Sequence, residues 1–301
     1  MKIKLVYLLL LICTAPSGAV ATELALLNET KIATLLNRDG PYEASGVTTL
    51  NGSIYIVFDN MPNVLRSNTE LLSASLSSAS GGGDGFEGLA HDDRGHLLAM
   101  VEDGKHQRKR QGRVYSYDLQ WQQLSKVWLP FTLQHKNKGF EGIEMLSMEG
   151  RKLLLALCEG NRCLGGKQGR KQGRGRIQVF QDHHGKWQHK KTIKLKLPFT
   201  DYSGMDVHGS RIAIVSQASS LLWVGAFDVD NGLIRVGQGE LFNFPKDNQG
   251  RTVYCNIEGV SWLSDDRIVV ISDRYKKKKQ PRYCADKDQS VHIFQLPLNV
   301  H

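Results

Sequence analysis

A five-residue phrase recurs along this chain and constrains its fold more than any other feature. The copies share a serine or glutamate followed by glycine, and each precedes a polar turn and a β-prone apolar run. They read EASGV at residues 43–47, GFEGL at 85–89, GFEGI at 139–143, DYSGM at 201–205 and NIEGV at 256–260. Self-similar units about 40 to 60 residues apart are typical of propellers and other radial arrays.

The rest of the chain also favours an all-β fold. No long segment combines a 3.6-residue apolar period with helix caps, whereas short β-prone runs between turn signals are frequent. Five repeats predict a five-bladed β-propeller, and a six-bladed one is possible if residues 71–78 contain a degenerate unit. The fifth repeat has only three strands, so we predict that an N-terminal strand, residues 31–36, closes the ring. Closure removes exposed sheet edges.

The first 21 residues have the pattern of a signal peptide. Lys2 and Lys4 precede an apolar stretch at residues 5–12, and small residues at 19 and 21 suit cleavage before Thr22. We therefore predict a single β-propeller domain over residues 22–301, located in the periplasm or secreted, with no transmembrane segment. Cys13 leaves lipidation as an alternative, although the preceding Ile12 is bulky where a lipobox has a small residue.

Four cysteines follow the predicted signal peptide. An even number in an exported protein indicates disulfides, and four cysteines permit three pairings. We favour Cys158–Cys163 and Cys255–Cys284, because each pair lies within one repeat. A metal site is the alternative, but the spacing is not that of a zinc motif.

The repeated acidic positions are expected to meet at one face. Two rings are predicted, at the start of each innermost strand and at the end of each second strand. The inner ring is Ser45, Glu87, Glu141, Ser203 and Glu258, and the outer ring is Asp59, Glu102, Glu159, Gln217 and Asp273. Converging carboxylates repel each other, and a hard divalent cation, Ca²⁺ or Mg²⁺, would relieve that repulsion.

We predict that Glu87, Glu141 and Glu258 bind this metal, with Glu102, Glu159 or Asp273 assisting. The alternative is that each glutamate accepts backbone N–H bonds and locks its blade to the next. His91, four residues after Glu87, is either a structural histidine or a general base near the channel.

The chain carries a formal net charge of +9. The excess is concentrated in three basic runs, each between the second and third strands of a blade, so we expect them on the acidic face. The candidate anion-binding residues are Lys105, Arg108, Arg110, Lys171, Arg174, Lys276 and Lys277. They predict an anionic small molecule or an envelope polyanion as partner, unless the loops are merely solvated. Nucleic acid is not expected, since aromatics are not interleaved with the basic residues.

Four of the repeats resemble a known group of proteins. The phrases at 139–143 and 86–90, with the runs that follow them, resemble repeats of the phytase-like esterase domain. The Ser-Gly copies at Ser45 and Ser203 resemble the related SdiA-regulated propellers. This resemblance implies a secreted or periplasmic propeller, often with calcium, and in some relatives ester or phosphoester hydrolysis. It supports Glu87, Glu141 and Glu258 as acids at the mouth of the channel.

Two functions are therefore expected. One is metal-dependent hydrolysis of an ester or phosphoester in an anionic substrate. The other is non-catalytic binding of an anionic ligand or partner, with the metal as a structural plug, and a purely structural scaffold is a third option. Serine at two inner positions and Gln217 in the outer ring depart from a fully acidic pattern, which bears on catalysis more than on fold.

Overall fold

The computed structural model describes residues 21–81, 85–148, 150–230 and 233–297, so the predicted signal peptide and Cys13 lie outside the described residues. The strands form five sheets, one for each repeat, and the chain is a five-bladed β-propeller. The innermost strand of each blade begins within the repeated phrase. The prediction of five blades is thus confirmed, and residues 74–78 form the outer strand of the first blade rather than a sixth unit.

The strands and helices have the following bounds. Blade one comprises β3 (Ala44–Leu50), β4 (Ser53–Phe58), β5 (Asn63–Asn68) and β6 (Ala74–Ser78). Blade two comprises β7 (Phe86–His91), β8 (Leu97–His106), β9 (Lys109–Tyr117) and β10 (Gln123–Trp128). Blade three comprises β11 (Phe140–Met148), β12 (Arg151–Cys158), β13 (Gly175–His183) and β14 (Lys186–Leu195). Blade four comprises β15 (Gly204–His208), β16 (Arg211–Ser216), β17 (Leu221–Asp230) and β18 (Leu233–Asn243), with β1 (Thr22–Glu23) at its edge. Blade five comprises β19 (Ile257–Ser264), β20 (Arg267–Ser272), β21 (Ser290–Gln295) and β2 (Ala25–Lys31). The α-helices are α1 (Ile32–Leu36) and α2 (Gly166–Gly169), and two 3₁₀ helices span Asn161–Cys163 and Arg282–Lys287.

An N-terminal strand closes the ring, as predicted, but it is not the predicted segment. Strand β2 pairs antiparallel with β21, and β1 pairs parallel with β18 of the neighbouring blade. The prediction that residues 31–36 form the closing strand is wrong, because Ile32–Leu36 is a short helix that ends at Asn37 with φ 46°. A short apolar run does not distinguish helix from strand by its period, and a left-handed Asn ends helices well.

The core consists of five hydrophobic clusters, each between two adjacent blades. Strand β4 shows why the second strands are continuous apolar runs. Ile54 and Ile56 pack toward blade five, while Tyr55 and Val57 pack toward blade two. A strand that is buried on both faces has no polar alternation.

The glycine of each repeated phrase lets the innermost strands approach closely at the axis. A Cβ on Gly46 would lie 2.7 Å from the Leu89 nitrogen, and one on Gly204 would lie 2.9 Å from the Gly259 Cα. The channel between these strands has a volume of only about 10 Å³. That is the space of one water molecule at most, so the ring has a narrow neck and no open pore.

Alanine at the neck is expected to destabilise the ring. We expect Gly46→Ala to lower the free energy of unfolding by about 1 to 3 kcal/mol, because the nearest atoms are backbone and must move. Gly88→Ala should cost less, since its nearest neighbour would be 3.2 Å away. Urea denaturation of both variants tests the prediction, and an equal or larger loss for Gly88→Ala would contradict it.

Both predicted disulfides are present. Cys158 and Cys163 are bonded at 2.05 Å, and Cys255 and Cys284 at 2.04 Å. Each one anchors a long loop between the second and third strands of its blade, as predicted. Among the described residues, no helix is both long and apolar enough to cross a membrane.

Candidate functional site

A β-bulge explains why the repeated serine or glutamate projects toward the axis. In blade one, Ala44 pairs with Phe58 and Gly46 with Val57, so Ser45 is the extra residue. Glu87, Glu141 and Glu258 occupy the same bulged position in blades two, three and five. A bulge commonly redirects a side chain, and here it turns each one out of the ladder.

The outer-ring residues are held beside the inner ring by backbone hydrogen bonds. The Asp59 nitrogen donates to the Glu43 carbonyl at 2.9 Å, and the Glu159 nitrogen to the Gly139 carbonyl at 3.0 Å. The Asp273 nitrogen donates to the Asn256 carbonyl at 2.8 Å. The end of each second strand is thereby fixed at the face where the innermost strand begins.

The two rings line one cavity of about 230 Å³, which we call the cup. All ten predicted ring residues contribute to its wall. The other lining residues are Glu43, Ala44, Asn137, Lys138, Asp201, Tyr202 and Lys276. The glycine neck lies directly below, because it is lined by Ser45, Glu141 and Glu258 together with the five glycines.

The cup is strongly acidic, since nine carboxylates and two ammonium groups line it. Burial raises the pKa of Glu141 well above its usual range, and the negative charges of Glu87, Glu159 and Glu102 raise it further. The pKa of Glu87 is raised in the same way, by burial and then by Asp59. The repulsion expected from sequence is therefore present at this site.

Three carboxylates come closest together. One oxygen each of Glu102, Glu141 and Glu159 lies within 4.8 Å of the others. Ligands 2.3 to 2.6 Å from a calcium ion can be no more than about 5 Å apart, so this spacing suits one ion. The Glu159 Oε2 atom is buried and has no hydrogen-bond partner in the described structure, so a cation would supply a partner that the described residues do not. The residues present thus fit a hard divalent cation.

Glu258 and Asp273 are engaged by neighbouring side chains, as Glu159 is by Lys138. Gln217 donates to Glu258 Oε1 through Nε2, and Lys276 Nζ lies 3.1 Å from Asp273 Oδ2. Burial raises the pKa of Glu258, and Asp273 adds to the effect. Both groups line the cup, but neither belongs to the closest carboxylate cluster.

The interpretation of the rings as blade locks applies to some members. Ser45 donates to the Phe86 carbonyl and Ser203 donates to the Ile257 carbonyl at 2.7 Å, each on the next blade. Glu102 accepts from the Gly139 nitrogen at 2.8 Å. The described residues provide no such donor for Glu87 or Glu141, so backbone locking does not account for these two.

Of the seven predicted anion-binding residues, Lys276 alone lines the cup within the described chain. Lys105, Arg108 and Arg110 lie on the β8–β9 hairpin, Lys171 and Arg174 in the loop of the first disulfide, and Lys277 beside Lys276. These loops continue from the strand ends that carry the outer ring. Their role in binding stays a prediction.

Sequence reasoning missed Lys138. Its Nζ contacts Glu159 Oε1, and although burial by itself lowers the pKa of Lys138, Glu159 and the other carboxylates raise it overall. Lys138 directly precedes the third copy of the phrase, so one residue more of the motif would have included it. His91 is not at the cup, because its Nδ1 lies 3.2 Å from Thr48 Oγ1 and it lines a pocket below the neck.

Comparisons with known proteins identify the fold alone. No family model matches the chain, and no curated protein matches it. Among solved structures, it is similar to a Myxococcus xanthus glutaminyl cyclase, with 12% identity over 94% of this chain and 100% of that one, and a TM-score of 0.50. It is also similar to a luciferin-regenerating enzyme, with 9% identity over 91% of this chain and 96% of that one, and a TM-score of 0.48. At such low identity, the likeness to the glutaminyl cyclase supports a β-propeller and does not identify a substrate.

Proposed function

We propose that this chain is an exported propeller of the phytase-like esterase and SdiA-regulated group, and that its cup hydrolyses an ester or phosphoester of an anionic substrate with a bound divalent cation, Ca²⁺ or Mg²⁺. The observation that carries the proposal is the cluster of Glu102, Glu141 and Glu159 within a cavity lined by nine carboxylates. The two disulfides fit an oxidising compartment, which supports export.

Each part of the cup has a role in this proposal. Glu102, Glu141 and Glu159 would hold the cation through carboxylate oxygens. When bound, such a cation supplies Lewis-acid polarisation of an ester or phosphoryl oxygen and a water of lowered pKa. Lys138 and Lys276 stand on the cup wall, where they bind the anionic part of the substrate. The neck closes the floor, so the substrate enters from the acidic face.

The test is an assay of the purified protein on phosphomonoesters and aryl esters with Ca²⁺ or Mg²⁺. We expect turnover that is lost on chelation and restored by the metal. Glu141→Gln should be inactive, because it removes one carboxylate of the cluster. Glu240→Gln makes the same chemical change at an exposed site on β18 and should be fully active. Activity that survives both chelation and Glu141→Gln would refute the metal role.

A second function is favoured by one observation. Ser45 and Ser203, the hydroxyls of the inner ring, both donate to main-chain carbonyls of the next blade, so neither is poised as a nucleophile. Binding of an anionic ligand without turnover, with the cation as a plug, is compatible with that arrangement. Salt-sensitive binding together with no turnover of any ester would identify this function.

A further inference from the structure

A second cavity opens beside the cup and shares part of its wall. It has a volume of about 480 Å³ and is bounded by Gly160, by residues 164–167, by Gly169 and Arg170, and by Thr200 and Ala218. We call it the side pocket. Lys138, Glu159 and Asp201 line both the cup and the side pocket, so the two cavities adjoin at these residues.

The loop that forms the side pocket is held in one shape. The side chain of Asn161 is fully buried and donates to the carbonyls of Gly169 at 3.0 Å and Thr200 at 3.1 Å. Its Oδ1 accepts from the Arg174 nitrogen at 3.0 Å, and the Cys158–Cys163 disulfide ties the base of the loop. A binding site that is ordered before the ligand arrives loses less entropy on binding.

Two glycines make this loop geometry possible. A Cβ on Gly160 would lie 1.9 Å from the Leu164 carbonyl oxygen, and one on Gly169 would lie 2.0 Å from the same atom. The backbone therefore packs against itself with no side chain between its turns. Four glycines, Gly160, Gly165, Gly166 and Gly169, line the side pocket and leave that part of its wall without side chains.

The side pocket is less acidic than the cup, because Lys138, Lys167 and Arg170 line it together with only two carboxylates, Glu159 and Asp201. Lys167 and Arg170 are exposed on its rim, and Lys138 stands where it meets the cup. In the part of the chain that the structure describes, no ion pair occupies Lys167 or Arg170. Two cations without a carboxylate partner there, beside a preformed cavity, are suited to an anionic group.

We propose that the side pocket binds a second anionic group, a phosphate or a carboxylate, of the molecule whose reacting ester lies in the cup. The substrate class is then a small molecule with two anionic groups, and Arg170 and Lys167 determine the preference for the second one. The position of the reacting ester rests on the proposed function, whereas anion binding in the side pocket does not.

The test compares two probes by isothermal titration calorimetry, glucose 1,6-bisphosphate and glucose 6-phosphate, with and without Ca²⁺. We expect the bisphosphate to bind about tenfold more tightly, as one added charge-assisted contact allows. Arg170→Gln should reduce this preference to about twofold or less. Lys171→Gln removes the same charge from the next residue, which is exposed and does not line the side pocket, so it should keep the preference.

The outcomes separate this inference from the proposed function. A preference that persists in the Lys167→Gln/Arg170→Gln double variant, or that falls equally in Lys171→Gln, overturns the side-pocket assignment. Calcium binding with no bisphosphate preference also rejects the side pocket and leaves the metal cup standing. A preference that depends on Arg170 in a protein that binds no calcium rejects the metal cup and leaves the side pocket standing. Melting curves of each variant check that these exposed substitutions leave the fold intact.

Discussion

Calcium at a hundred times its dissociation constant is expected to raise the free energy of unfolding of the purified protein by about 2.7 kcal/mol. For a domain of this size, that corresponds to a rise of roughly 5 °C in Tm. The physical reason is that the cation neutralises the carboxylates of the cup in the folded state, while the unfolded chain does not gather them. Differential scanning calorimetry with a calcium series and with EDTA measures the effect.

Glu141→Gln should preserve the stability of the metal-free protein and abolish its stabilisation by calcium. Without metal, the variant should be at least as stable as the wild type, because it lacks one of the mutually repelling buried carboxylates. With calcium, its Tm should not rise, since one side of the Glu102, Glu141 and Glu159 cluster is missing. Glu240→Gln is the matched control and should respond like the wild type. An unchanged calcium response in Glu141→Gln would remove the basis for the metal site.

Loss of the Cys255–Cys284 disulfide is expected to have the second large effect. The bond closes a loop with a sequence separation of 29 residues, for which chain entropy in the unfolded state gives about 3.6 kcal/mol. Cys255→Ala/Cys284→Ala should lose about that much free energy of unfolding, measured by urea denaturation under oxidising conditions. Cys255→Ala alone should lose a similar amount, because either change removes the crosslink. A cost below about 1 kcal/mol would contradict the loop-entropy argument.

The repeated phrase predicted the fold because its glycine and its neighbouring acid have separate physical causes. The glycine is required where innermost strands meet at the axis, because a Cβ on Gly46 or Gly204 would clash with the backbone of the next blade. The serine or glutamate is the bulged residue, so its side chain leaves the ladder and enters the cup. A pattern with these two constraints reports both blade number and the location of the acidic rings.

Other features could not be predicted from sequence, because they depend on how distant segments pack in the folded protein. The sequence of the closing strand β2 gives only a weak strand signal, because β2 is largely exposed along its outer edge. The adjacent Ile32, by contrast, is fully buried in a helix. The sequence also did not separate the closest acids, Glu102, Glu141 and Glu159, from Glu258, since that depends on where the folded blades place each side chain. Gln217 donates a hydrogen bond to Glu258, and only the packing of two adjacent blades determines that contact.

The same limit applies to the basic loops. Lys171 and Lys167 are equivalent in composition, yet only Lys167 borders the side pocket. The difference comes from the path of the loop, which is fixed by hydrogen bonds of the Asn161 amide to Gly169 and Arg174 of the same loop and to Thr200. Charge counting marks this loop as basic, but it cannot tell the residues that border the side pocket from those that do not.

The pairing of β2 with β21 also determines when the ring can be completed. Ala25 lies opposite Gln295, so β2 cannot pair until β21, about 270 residues further along the chain, has been synthesised. Until then, blade five has an unpaired strand edge, and the hydrophobic cluster between blades five and one lacks the residues of β21. Any translation product that stops short of residue 290 therefore has an unpaired N-terminal strand, and such chains are expected to be recognised by proteases and chaperones as incomplete.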